Sequence, residues 1–187
     1  MQATADLTNH FLIAMPTLAD PNFFHTVTYL CEHNEEGAMG IVINRPLDLQ
    51  FQELLGHLEL ETDDPELAQL TIYQGGPVQT ERGFVLHSND GDWDASIQVT
   101  DSMVMTMSQD IIEAIALGEG PRQYLIALGY AGWGDGQLEE ELANNAWLNG
   151  PADASIIFDL PVEQRWSAAA AHLGVELSRL STDVGHA

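Results

Sequence analysis

The chain contains no lysine, and its five arginines stand against 29 aspartates and glutamates, for a formal net charge of −24. Proteins gain affinity for nucleic acid largely by releasing phosphate counterions, which takes clustered Lys or Arg. Arg45, Arg82, Arg122, Arg165 and Arg179 are scattered along the sequence. Nonspecific binding to nucleic acid or to an anionic membrane is therefore excluded as an expectation. The acids read as a solvated surface, or more sharply as adaptation to a salty cytoplasm.

Cysteine is nearly absent as well. Cys31 stands alone, which rules out an intrachain disulfide and fits a reducing compartment. No apolar run approaches the roughly 20 residues of a membrane helix. The opening MQATADLTNHFLIAMP carries no positive charge, and its apolar core is only Phe11 to Met15. The expectation is a cytoplasmic protein with neither signal peptide nor membrane span. HxH, HExxH and CxxC spacings are missing, and so is a G-x-S-x-G elbow for an esterase triad. No metal and no cofactor are expected.

Glycine, by contrast, is concentrated in GYAGWGDGQLEEEL, Gly129 to Leu142. An apolar run, a glycine loop and a helix-like segment are how many proteins hold a phosphate. A Walker loop from Gly129 reaches Gly134, but Asp135 follows where lysine is required. A dinucleotide fingerprint from Gly132 and Gly134 needs glycine at the position held by Gln137. Asp135, Glu139, Glu140 and Glu141 also offset the helix dipole a phosphate would use. The loop reads as a tight strand-to-helix turn with Trp133 packed under it.

Over 187 residues the hydrophobic fraction of 45% supports a real core, and no linker divides the chain, so residues 1–187 read as one domain. Phe11 to Met15, Val27 to Cys31 and Ala38 to Ile43 read as strands, the last two as a hairpin around the turn Asn34 to Gly37. Leu47 to Leu60 suits a helix, with Leu47, Phe51, Leu54, Leu55 and Leu58 on one face. Thr71 to Tyr73 and Gly83 to His87 look like a second strand pair around GGP. Ser96 to Thr100 and Met103 to Thr106 are further strands. Ser108 is placed to cap a helix through Leu117, with Gly118 at its end. Gln123 to Tyr130 reads as a buried strand, Gln137 to Trp147 as a helix and Ser155 to Phe158 as a strand. Pro161 opens a last helix, and the tail beyond Arg179 reads as frayed. The fold class is α/β, more fully a mixed α+β arrangement with about four helices. Hairpins in the first half argue against a simple doubly wound sheet.

Three stretches, EHNEEGAMGIVINRP (Glu32 to Pro46), GGPVQTERGFVLH (Gly75 to His87) and ALGYAGWGDGQLEEEL (Ala127 to Leu142), resemble the YqgE/AlgH family of bacterial proteins. NNAWL (Asn144 to Leu148) and FDLPVEQRW (Phe158 to Trp166) extend the likeness over nearly the whole chain. Asp135 departs from the family's usual proline or small residue, and the lack of lysine is unusual. The resemblance implies a compact α/β fold with a coiled, partly barrel-like sheet. It implies no reaction. One branch takes its name from an apparent role in regulating alginate production, which does not establish DNA binding.

Candidate chemistry centres on a few side chains. Period two puts Cys31 and His33 on one face of their strand, where an imidazolium would lower the thiol pKa for nucleophilic or redox work. The plainer reading of Cys31 is a small buried hydrophobe. His87 is the third weak catalytic candidate. Asn44, Arg45 and Arg82 lie inside the motifs, and the arginines could clamp an anion bidentately; a salt bridge to one of the many carboxylates is the commoner use. Gly75 and Gly76 would allow a ligand or a neighbouring strand to approach closely. These strand-end stretches are expected to converge.

The reading that fits best is a binding or regulatory module that recognises a protein or a small anionic ligand. The alternative is a thiol-based sensor or enzyme around Cys31, His33 and His87. A DNA-binding regulator ranks last. An enzyme is the less favoured class.

Overall fold

The computed structural model describes residues 6–18 and 20–175. In chain order its elements are β1 (His10–Ala14), β2 (Val27–Asn34), β3 (Gly37–Val42), β4 (Pro46–Gln50), α1 (Phe51–His57), α2 (Pro65–Ala68), β5 (Thr71–Gln74), β6 (Val78–Ser88), β7 (Ser96–Gln98), β8 (Met103–Thr106), α3 (Gln109–Ala116), β9 (Tyr124–Trp133), α4 (Gln137–Ala143), β10 (Trp147–Pro151), α5 (Ala154–Phe158) and α6 (Arg165–His172). The strands form a curled, mostly antiparallel sheet that closes half a barrel. Its order is β10-β1-β2-β3-β9-β6-β8-β7, with β4 joined through β5 to β9. The parallel pair is β5 with β9.

β9 is the spine. Its first half lies between β5 and β6, and its second half reaches β3. The chain passes from one flank of β9 to the other at Gly75-Gly76, directly against Gly129. A Cβ on Gly76 would sit 2.1 Å from the carbonyl carbon of Tyr130, and one on Gly129 (φ +79°) 2.4 Å from the Gly76 oxygen. Backbone packs on backbone there, so no side chain fits on either strand. The two glycine-rich motifs, GGP and GYAGWG, therefore meet as one crossing.

The two faces of the sheet are covered separately. One face gathers Phe11, Ile13, Tyr29, Ile41, Phe84 and Leu86 under Ile156, Ile157, Ala169 and Ala170 of α5 and α6. On the other, α1 and α3 press Phe51, Leu55, Ile111 and Ile115 onto Val85 and Ile126. Beside them α4 covers Leu12, Leu30, Ala131, Trp133 and Trp147 with Leu138. Trp133 and Trp147 are buried and Trp166 is mostly so, as their place beside apolar stripes predicts.

The β2–β3 hairpin, α3 ending before Gly118, and the strand through Tyr130 match the sequence reading. Four expectations do not. Leu47 to Leu60 is not one helix: Leu47 and Leu49 alternate with exposed Asp48 and Gln50 as strand β4, and the helix begins only at Phe51. β5 and β6 do not pair with each other, because the Gly75-Gly76 crossing delivers them to opposite flanks of β9. α4 stops at Ala143; Asn145 turns through φ +61° and Trp147 starts the edge strand β10 on β1. Ser155 to Phe158 is helical, because the Asp153 carboxylate accepts from the Ser155 backbone N–H and caps a turn. The tail beyond Arg179 lies outside the described residues.

Candidate functional site

Cys31, His33 and His87 lie in three different environments. The β2–β3 register steps from Leu30 opposite Gly40 to Glu32 opposite Met39, so Cys31 is an unpaired bulge residue. One extra residue reverses the facing of everything after it. Cys31 stays with Val27 and Tyr29 in the first core cluster, while His33, paired to Ala38, turns to the face covered by α4. The expectation of a shared face fails for that reason. The Cys31 thiol is 2% exposed, its Sγ sits 3.8 Å from the Tyr29 carbonyl oxygen, and burial raises its pKa.

His33 is held at both nitrogens. The Leu7 backbone N–H donates to Nδ1 at 3.0 Å, so the proton resides on Nε2, which donates to Glu139 at 2.6 Å. Glu139 is slightly desolvated, yet its hydrogen bond to His33 prevails and lowers its pKa. The neighbouring Glu141 accepts from the indole N–H of both Trp133 (3.1 Å) and Trp147 (2.9 Å). Two of the acids crowded on α4, Glu139 and Glu141, thus serve the fold as acceptors.

His87 is fully buried. Nδ1 donates to the Ser88 carbonyl at 2.7 Å, so Nε2 must accept, and it does so from the Thr106 hydroxyl at 2.7 Å. Ser96 completes the chain at Thr106. Desolvation lowers the His87 pKa, which keeps the ring neutral. His87 and Thr106 are buried with their hydrogen bonds made, and Ser96 carries the chain to the surface.

The NRP motif does different work. Asn44 accepts the Val27 N–H through Oδ1 (2.8 Å) and donates to the His25 carbonyl through Nδ2 (2.9 Å). Arg45 donates to the Phe24 carbonyl at 3.1 Å. Together they hold the loop before β2, where His25 adopts a left-handed φ of +57°. An aromatic ladder runs through this residue: Phe24, 47% exposed, stacks on His25 at 3.8 Å, and His25 on Trp166 at 4.0 Å. Desolvation lowers the Arg45 pKa, with nearby Asp20 acting against it.

Arg82 is exposed, 3.4 Å from the Gln79 side-chain oxygen and above the Phe84 ring. It shares no cleft and no contact with Arg45 among the described residues. The expected salt bridges are missing too: among the described residues neither Arg45 nor Arg82 reaches a carboxylate, and the contact between a basic and an acidic side chain is the His33–Glu139 hydrogen bond. The three motifs do converge, but on another cleft of about 420 Å³, where Glu32, Asn34 and Met39 meet Val78, Tyr130 and Trp133. Its charged lining is acidic. Gly75 and Gly76 are committed to the β9 crossing.

Sequence reasoning passed over Arg165, the first residue of α6. It is 6% exposed, donates to the carbonyls of Leu160 and Ile43, and lies 5.0 Å from the Tyr73 ring centre. Nothing in QRWSAAA separates this buried guanidinium from an exposed one. Phe24 was likewise silent. Among the described residues no group of three or more His, Cys, Asp or Glu is placed to hold a metal, and no helix is long and apolar enough to cross a membrane.

The model of the family described as AlgH-like matches residues 11–178. The chain belongs to the AlgH-like family. It is 59% identical over 187 residues to a UPF0301 protein of Thioalkalivibrio sulfidiphilus, covering 100% of both chains, and 55% identical over 179 residues to one of Nitrosococcus oceani, covering 96% of each. The solution structure of AlgH from Pseudomonas aeruginosa superposes with a TM-score of 0.81 at 54% identity, over 97% of each chain. A crystal structure of a protein from Corynebacterium diphtheriae, at 20% identity and TM-score 0.74 over 97% and 94% of the two chains, shares the fold. The family resemblance and its curled mixed sheet are thereby established.

Proposed function

We propose that this AlgH-like protein is a cytoplasmic binding module with a regulatory role, and that it recognises a protein partner through the Phe24–His25–Arg45 surface. The observation that carries this is Arg45 without a carboxylate within 4.0 Å among the described residues, in a chain with 29 acids, beside an exposed phenylalanine. Aromatic residues and arginine are the side chains that contribute most at protein interfaces. The strained His25 backbone supports the reading, since such conformations persist where the surrounding structure is built to hold them. The matching partner presents a carboxylate to Arg45 and an apolar side chain to the outer face of Phe24. A thiol-centred activity has less support, because Cys31 is buried and separated from both histidines. A nucleic-acid partner ranks last on charge.

The test places the photo-crosslinker p-benzoylphenylalanine at Phe24 in living cells, with exposed Glu113 on α3 as control. A discrete adduct at position 24, absent at position 113 and lost when Arg45→Gln is added, supports the proposal. Equal labelling at both positions, or an adduct indifferent to Arg45→Gln, refutes it. Thermal melts of the variants check that the fold is retained.

A further inference from the structure

Arg165 raises a question of its own. Its guanidinium is buried, and both carbonyl acceptors, Leu160 and Ile43, are neutral. No carboxylate lies within 4.0 Å of it among the described residues. Nη2, with both of its N–H groups, has no partner among them either. Nη2 is not sealed in the interior: its free edge opens to solvent, which completes what the two carbonyls and the Tyr73 ring leave unmet and which a ligand could replace.

The guanidinium lines a cleft of about 230 Å³ between the start of β9 and the α5–α6 layer. Tyr73, Tyr124, Leu125, Ile157 and Phe158 form the walls, and no lining residue is acidic. The hydroxyls of Tyr73 and Tyr124 make no hydrogen bond to the described residues, so both are available as donors. Asp64 is close enough to raise the Tyr124 pKa beyond the effect of desolvation, but it does not line the cleft.

We infer that this cleft is a binding site for a small monocarboxylate with a short apolar or aromatic tail. The carboxylate accepts from the free edge of Arg165 and from a tyrosine hydroxyl, and the tail lies against Ile157 and Phe158. A single guanidinium balances a single negative charge; a phosphate dianion would leave an excess charge in a cleft whose lining holds no second cation. The volume falls below the roughly 300–1,000 Å³ of pockets for larger ligands, which limits the tail to about the size of a phenyl ring. The cleft shares no lining residue with the Phe24–Arg45 surface, so it stands or falls independently of that reading.

A purely structural account is that Arg165 only ties the α5–α6 connection to the end of β3. NMR on the full chain separates the two. Sodium benzoate should produce saturable shifts of the Arg165 Nε–H and of the Tyr73 and Tyr124 amides, while neutral benzamide binds at least about tenfold more weakly because it lacks the charge. Sodium chloride at matched ionic strength should leave these signals in place. Thr71→Trp, which fills the cleft from an exposed strand position and keeps Arg165, should weaken benzoate by about tenfold or more while the protein still melts cooperatively. Arg165→Met should abolish binding, and if that variant fails to fold, Thr71→Trp carries the test. Equal response to benzoate and benzamide, shifts reproduced by chloride, no saturation up to about 50 mM, or unchanged affinity in Thr71→Trp would each overturn the site. A short peptide ending in phenylalanine, compared with its C-terminal amide, tells the source of the carboxylate. Tighter binding than benzoate assigns the site to a chain terminus, and weaker binding assigns it to a free acid.

Discussion

Glu141 anchors two tryptophans at once, and removing it tests how α4 is held. Its Oε1 accepts from the Trp133 indole at 3.1 Å and the Trp147 indole at 2.9 Å, while Oε2 accepts from Gln137 at 3.0 Å. Both indoles are about 95% buried, at 5% and 4% exposure. Glu141→Ala leaves two donors unpaired, each worth about 1–3 kcal/mol when buried. Glu141 is itself partly exposed, so water can reach one of them. The expected loss is about 2–3 kcal/mol. Glu141→Gln keeps one oxygen for both indoles but turns the Gln137 amide around at the cost of its exposed hydrogen bond from the Gly134 N–H, so its expected loss is about 1 kcal/mol. Urea unfolding at neutral pH, followed by circular dichroism and tryptophan emission, measures both. An alanine variant within about 0.5 kcal/mol of wild type would refute the anchoring role. A glutamine variant as unstable as alanine would show that the charge matters, not the shared acceptor.

Because the His87 pKa is lowered in the fold, the unfolded chain takes up a proton first as pH falls below 6.5, so stability should drop in that window. His87→Gln should flatten this slope, whereas the lowered carboxylates (Asp90, Asp110, Glu139 and Asp153) act only below about 4.5; an unchanged slope above pH 5 would contradict the assignment, with His25 as the remaining contributor of the same sign. Iodoacetamide at pH 8 should leave Cys31 unlabelled in the folded protein and label it fully in denaturant; rapid native labelling would revive the thiol reading. At net charge −24 the melting temperature should rise between 0.1 and 1 M NaCl, as screening shortens from about 10 to about 3 Å, and a steady fall would refute this. No gel shift of duplex DNA is expected at low micromolar protein near physiological salt, and a salt-dependent shift would overturn the charge argument.

Elements whose signals are local were legible in the sequence, and those set by distant partners were not. Turn residues Asn34 to Gly37 mark the β2–β3 hairpin, and Ser108 with Gly118 brackets α3. Even there the Ser108 hydroxyl bonds Asp110 instead of capping the backbone. The Leu47 to Leu60 pattern misled because Leu47 and Phe51 are four apart whether or not a strand intervenes. The Cys31 bulge has no mark in VTYLCEHN, yet it decides which face His33 occupies. Asn44 and Arg45 stood out by residue type, but their use in holding the Phe24 loop depends on residues some twenty positions earlier. Arg165 was invisible because its burial is made by Ile43, Tyr73 and Leu160 together.

The placement of the arginines also bears on how the acidic surface works. A chain this rich in carboxylates could pair every cation at little cost, since surface ion pairs form readily even though each contributes at most about 1 kcal/mol. Yet Arg45 binds a carbonyl, Arg82 an amide and a ring face, and Arg165 two carbonyls and a ring. Neutral partners orient a guanidinium without cancelling its charge. Arg45 and Arg165 are both tied to the exit of β3, one through the backbone next to Asn44 and the other through the Ile43 carbonyl. Two guanidiniums with no carboxylate within 4.0 Å among the described residues therefore bracket one strand end, with Asp20 near Arg45 but out of contact. An incoming carboxylate is repelled by the general surface and held only where these groups are exposed to it. On the two proposed sites, the acidic background would act as a filter: it would lower the affinity of anions for the rest of the surface, so that discrimination would rest on the few guanidiniums without a carboxylate in contact.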